Sequence, residues 1–159
     1  MSEDLQQLVD PIAALGDVEF GDVDTSMPLL PSGMHKCRIE KIEVVDSKKV
    51  EGNKNMVVYF ETLEDVIAHD SDRELKAGWK LRNYYPLQGS RDNPDWDYRE
   101  NIARLIDAVD GPPAPGEKRM GFDADRMLNA EVVLRIVVSE DKESGILRNE
   151  IKSVVHPVD

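Results

Sequence analysis

Five stretches of this 159-residue chain carry strand-like alternation, and only one carries apolar residues at helical spacing. That contrast constrains the fold more than any single motif, because side chains alternate faces on a strand and recur every 3.6 residues on a helix. Gly33 to Val45 reads as a long first strand. Cys37 and Ile39 share one parity, whereas Ile42 and Val44 share the other. A bulge near Glu40-Lys41 reconciles the two halves and bends the strand. Asn55 to Leu63 is the second strand, with Met56, Val58 and Phe60 on one face and Val57, Tyr59 and Glu61 on the other. Trp79 to Leu87 is the third. Leu81 and Tyr85 suit a core there, and Lys80, Arg82 and Tyr84 face the other way. Ala130 to Val138, rich in β-branched residues, is the fourth, and Ile146 to Val155 the fifth.

The helical stretch lies between the third and fourth strands. Asn93 and Pro94 suit a cap and a first helical residue. Ile102, Leu105, Ile106 and Val109 form the apolar stripe, and Gly111 ends it. One further helical turn is expected over Asp123–Leu128, and residues 64–78 read as a charged, mobile connection. Residues 31–159 are therefore expected to form a mainly β domain, a five-stranded Greek-key barrel with a helix between strands 3 and 4. That is the arrangement of the OB-fold, which binds ligands across its second and third strands and the adjoining loops. Residues 1–30 read as an N-terminal arm.

Charge argues against a strongly basic nucleic-acid binder, since the formal net charge is −12. Its distribution tempers this. Residues 1–30 hold seven acids and no Lys or Arg, whereas residues 31–91 hold eleven bases and ten acids. Residues 92–129 carry −4 and residues 130–159 carry −2. Any basic groove must be local. With 40% hydrophobic residues the composition supports one core. No apolar run reaches membrane-span length and no signal-peptide pattern opens the chain, so a cytoplasmic location is expected.

Catalytic signatures are missing. Cys37 lies on an inward strand face, and with His35, His69 and His156 it makes no zinc spacing. The carboxylate pairs Asp70/Asp72, Asp95/Asp97 and Asp123/Asp125 lack the pattern of a calcium loop and read as caps or solvated turns. Neither catalysis nor a cofactor is expected.

The wet side of the third strand carries the functional expectation. Cations neutralise phosphates and aromatic rings stack on bases, which is how single strands are held. Lys80, Arg82 and Tyr84 supply both, and hairpin pairing sets Tyr59 beside them. Lys48, Lys49 and Lys54 lie in the first loop or at its end. Arg135 faces outward on the fourth strand, Lys142 lies in the last loop, and Arg148 and Lys152 share a face of the fifth strand. Trp79 suits either a stacking platform or a plug at the barrel rim, and Trp96 a packing role. Exposed Lys and Arg on edge strands also serve solubility alone.

Several segments resemble the OB-fold single-stranded-DNA-binding proteins coded in phage replication and recombination cassettes. They are Pro28–Gly33 leading into Cys37–Glu43, then Asn55–Glu61, Gly78–Leu81, Asn101–Ile106, Leu128–Val132 and Arg148–Ile151, across roughly residues 28–156. The resemblance implies sequence-tolerant binding of single-stranded DNA in replication or recombination, within the cytoplasm of a bacterial host. It also implies hand-over to replication or recombination proteins, and it is compatible with a homo-oligomer. Many such proteins recruit partners through an acidic C-terminal tail. Here Val154–Asp159 holds one acid, and the acidic segment lies at the N-terminus. The arm is therefore expected to dock partners or to compete with DNA for the basic face. The alternative expectation is an OB-type protein-interaction module that binds no DNA, which the net acidity favours.

Overall fold

β1 (Gly33–Asp46) is the strand around which the molecule is organised, because it pairs with a different neighbour along each half. The computed structural model describes residues 11–21, 28–48, 51–87 and 97–157. Residues 33–38 of β1 run antiparallel to β6 (Glu131–Glu140), and residues 37–46 run antiparallel to β2 (Lys54–Thr62). Between the two partnerships the register slips at Ile39/Lys41, leaving Glu40 as the extra residue. This is the bulge that the parity change in the sequence requires, and a bulge bends its strand.

β2 pairs in turn with β5 (Lys80–Pro86), and β6 pairs with β7 (Leu147–Val155). The result is one antiparallel sheet in the order β5-β2-β1-β6-β7. β5 and β7 end the order and do not pair with each other, so no ladder closes the sheet into a barrel. α1 (Arg99–Asp110) packs against β7 and β6. It buries Leu105, Ile106 and Ala108, with Ile102 and Val109 half-buried beside them. That is the stripe read from the sequence. Gly111, at φ 82°, ends the helix in a conformation that a Cβ would strain. The expected cap at Asn93-Pro94 lies outside the described residues. α2 (Ala124–Met127) is the expected single turn, with the Asp123 carboxylate accepting from the Asp125 N–H at 3.0 Å and Met127 fully buried.

The core lies between the inward face of the sheet and these helices. Cys37, Ile39, Val58, Phe60, Val132, Leu134 and Ile136 contribute from the sheet, and Leu105 and Met127 from the helices. Burying each large side chain of this kind stabilises the fold by about 1.5–3 kcal/mol. Cys37 is fully buried, and desolvation pushes its thiol up to about 12, so it stays protonated and unreactive.

The connection after β2 departs from the expectation of a mobile loop. β3 (Val66–Ile67) and β4 (Glu74–Leu75) form a short hairpin. Ala68 and Leu75 enter the core, and the Gly78 N–H donates to the Thr62 carbonyl at 2.7 Å. Two-residue strands are too short to show a period, so charge dominated the sequence pattern. Leu30 is also fully buried, and the Asn149 side chain both accepts from its N–H and donates to its carbonyl, each at 2.9 Å. Residues 11–21 instead stand exposed along their whole length, Ile12, Leu15, Val18 and Phe20 included.

Candidate functional site

The outward face of β1, β2 and β5 is built in three cross-strand rows, because antiparallel register sets directly opposed residues side by side. The first row is Lys41, Tyr59 and Arg82, the second Glu43, Val57 and Tyr84, and the third Arg38, Glu61 and Lys80. Tyr59 thus lies directly opposite Arg82, as the hairpin pairing requires. The bulge at Glu40 restores Lys41 to this face.

Both tyrosine rings are held beside a cation. The Lys41 ammonium lies 5.4 Å from the centre of the Tyr59 ring, and the Arg82 guanidinium lies 5.6 Å from that of Tyr84. Val57 lies between the two rows, 1% exposed although it points away from the core. Tyr84 is 48% exposed, so its ring is accessible for stacking.

Carboxylates hold most of the remaining groups. The Tyr59 hydroxyl donates to Glu43, which also receives Lys41 at 3.1 Å. These two bonds, the tyrosine's first, hold the Glu43 carboxyl below its usual range, and the same bond holds the Tyr59 hydroxyl above its own. Glu61 takes Lys80 at 2.7 Å and a two-pronged contact from Arg38, and both lower its pKa. Lys80 also meets Glu40 at 2.7 Å, and Glu40 and Glu61 together raise its pKa. The face is therefore an interleaved ladder of both signs. Ion pairs of this exposure are weak, about 0–1 kcal/mol, so an incoming phosphate can exchange with a carboxylate at low cost.

The other expected residues are spread more widely. Lys48 is exposed in the β1–β2 turn, and Lys54 at the start of β2 is bound to Asp46 at 2.6 Å. Lys49 lies outside the described residues, as does Trp96. Arg135, Lys142 and Arg148 are exposed on the β6–β7 hairpin, at the far end of the strand order from Tyr84. Trp79 packs half-buried against the core, on the opposite side from Lys80 and Arg82, which is the rim position and not the stacking one. Lys152 faces a cleft of about 400 Å³ between β5, α1 and β7. Arg38 and Lys41 were not anticipated as site residues. For Lys41 the signal was present, since a bulge at Glu40 turns the following residue onto the face of Tyr59.

Among the described residues no three His, Cys, Asp or Glu side chains gather as metal ligands. Asp70 meets His69 at 2.9 Å, Asp97 binds Arg99, and Asp123 caps α2. No described helix is long and apolar enough to cross a membrane. No protein-family model matches the chain, and no curated protein matches it.

Proposed function

We propose that this protein binds single-stranded DNA without strong sequence preference, on an OB-type sheet, and serves phage DNA replication or recombination without catalysing a reaction. The observation that carries this reading is the pair of rings at Tyr59 and Tyr84, each beside a cation, on adjacent outward-facing strands. Such a surface offers base stacking and phosphate neutralisation at once, and stacking is tolerant of sequence because every base has a π-face. The strand order supports an OB-type arrangement. Counting only the five strands of the large sheet, it runs third, second, first, fourth, fifth, with α1 between the third and fourth. The place in replication or recombination rests on the family resemblance of residues 28–156.

Titration with a dT oligonucleotide at low and moderate salt, followed by Tyr and Trp fluorescence, tests the reading. Quenching with an affinity that falls as salt rises is expected. Silence at low salt would sink it. Tyr59→Ala with Tyr84→Ala should weaken binding at least about tenfold, since each stacked base contributes about 1–3 kcal/mol. A double variant that folds and binds like the parent would place the ligand elsewhere.

A second reading has one observation in its favour. Glu40, Glu43 and Glu61 occupy the cations of the same face, in a chain of net charge −12. A face satisfied internally in this way also suits a protein-interaction module that binds no nucleic acid. Unquenched fluorescence at every salt concentration would favour that module.

A further inference from the structure

The cleft between β5, α1 and β7 has a charge character opposite to that of the chain. The protein holds 32 acids against 20 bases, yet the cleft is lined by two cations, Arg104 and Lys152, and by no carboxylate. Its floor includes Leu105 and Ile151, and the side-chain amides of Asn83 and Asn101 belong to its walls. Tyr84 belongs both to the cleft and to the outward face, where Arg82 lies over its ring. We infer that this cleft receives one nucleotide unit of the single strand, its phosphate between Arg104 and Lys152 and its base beside Tyr84 and the two asparagines. The inference rests on the single-strand reading above and extends it from the open sheet face into the gap between the sheet's two ends.

Three features support it. The first is the β6–β7 register, in which Arg135 opposes Ser153 and Ile136 opposes Ile151. Lys152 is thus the extra residue of a bulge, and bulges re-aim a side chain. Arg148 and Glu150, on regular positions of the same strand, do not line the cleft. The second is the state of the two cations. Arg104 binds Glu100 and Asn101, and Lys152 binds Glu150 at 3.2 Å, all on exposed side chains whose pairs exchange readily for a phosphate. The third is the pair of unjoined strand edges. β5 and β7 each have one partner strand, so their facing backbones retain donors and acceptors that can meet a base edge. An extended peptide could use those edges too, but the two cations and the absence of carboxylates favour an anionic strand.

The test uses the full chain and a dT oligonucleotide carrying 4-thiothymidine. Ultraviolet crosslinks are expected in residues 83–85, 101–105 or 151–154. The variant Arg104→Ala with Lys152→Ala should bind roughly tenfold more weakly at low salt. Its slope of log affinity against log salt should be shallower by about 1.4, since each phosphate contact on a single strand contributes about 0.7. Arg104→Lys with Lys152→Arg keeps both charges and should restore most of the slope. Both positions are exposed, so thermal unfolding of the variants should match the parent. If Tyr59→Ala weakens binding while the Arg104/Lys152 variant leaves affinity and slope unchanged, the cleft is excluded and the face reading stands. That result would fit a gap that accepts a peptide. Crosslinks confined to β1 and β2 would have the same meaning. If the parent protein binds no oligonucleotide, the face reading and the cleft fall together.

Discussion

Glu43 and Glu61 set the balance of the outward face. Glu61 occupies Arg38 and Lys80, and Glu43 occupies Tyr59 and Lys41. Glu61→Gln keeps the shape and removes the charge. If DNA uses this face, the change should tighten oligonucleotide binding several-fold, because two cations lose a competitor and the strand meets less repulsion. An unchanged or weaker affinity, measured by fluorescence titration, would show that Arg38 and Lys80 do not meet phosphate. The same carboxylates shape the acid limb of stability. Their folded pKa values lie below the ordinary 4.5, so the stability they contribute is complete above 4.5 and is lost as pH falls through the depressed values. Thermal melts from pH 6 to pH 3 should therefore fall less steeply in a Glu43→Gln, Glu61→Gln variant than in the parent. Equal slopes would show that these contacts are absent in solution.

The β3–β4 hairpin is the element least legible in the sequence. Residues 64–78 look like a charged linker, yet Leu75 is 3% exposed and belongs to the core. Leu75→Ala should cost about 2–5 kcal/mol, the range for truncating a buried leucine, as read by urea denaturation. A mobile linker would tolerate the change at nearly no cost, so the experiment separates the two descriptions directly. β5 was much more legible. Its alternation of Leu81 and Tyr85 against Lys80, Arg82 and Tyr84 appears in the structure with the same parity. Seven residues suffice to show a period of two, whereas a strand of two residues cannot.

At the scale of the whole molecule the charge is partitioned. Residues 1–30 carry −7, and the described part of this arm exposes Ile12, Leu15, Val18 and Phe20 together with Asp17 and Glu19. An arm that competes with DNA would lower apparent affinity in the intact chain. Deleting residues 1–25 should then raise oligonucleotide affinity and steepen its salt dependence, since an internal polyanion no longer occupies the cations. Unchanged affinity and slope would remove the competition idea and leave the arm a docking or solubilising role.

The sequence by itself determined the five main strands, the single amphipathic helix, the bulge at Glu40 and the face on which Tyr59, Lys80, Arg82 and Tyr84 lie. Each follows from a local period, and a period is written in neighbouring residues. Only the tertiary structure decided which charges meet. Glu61 joins Arg38 to Lys80 across three strands, and Arg104 faces Lys152 from a helix across a gap at the end of the sheet. Those partnerships depend on register and on where the sheet stops, and neither is recorded in the spacing of residues along one segment.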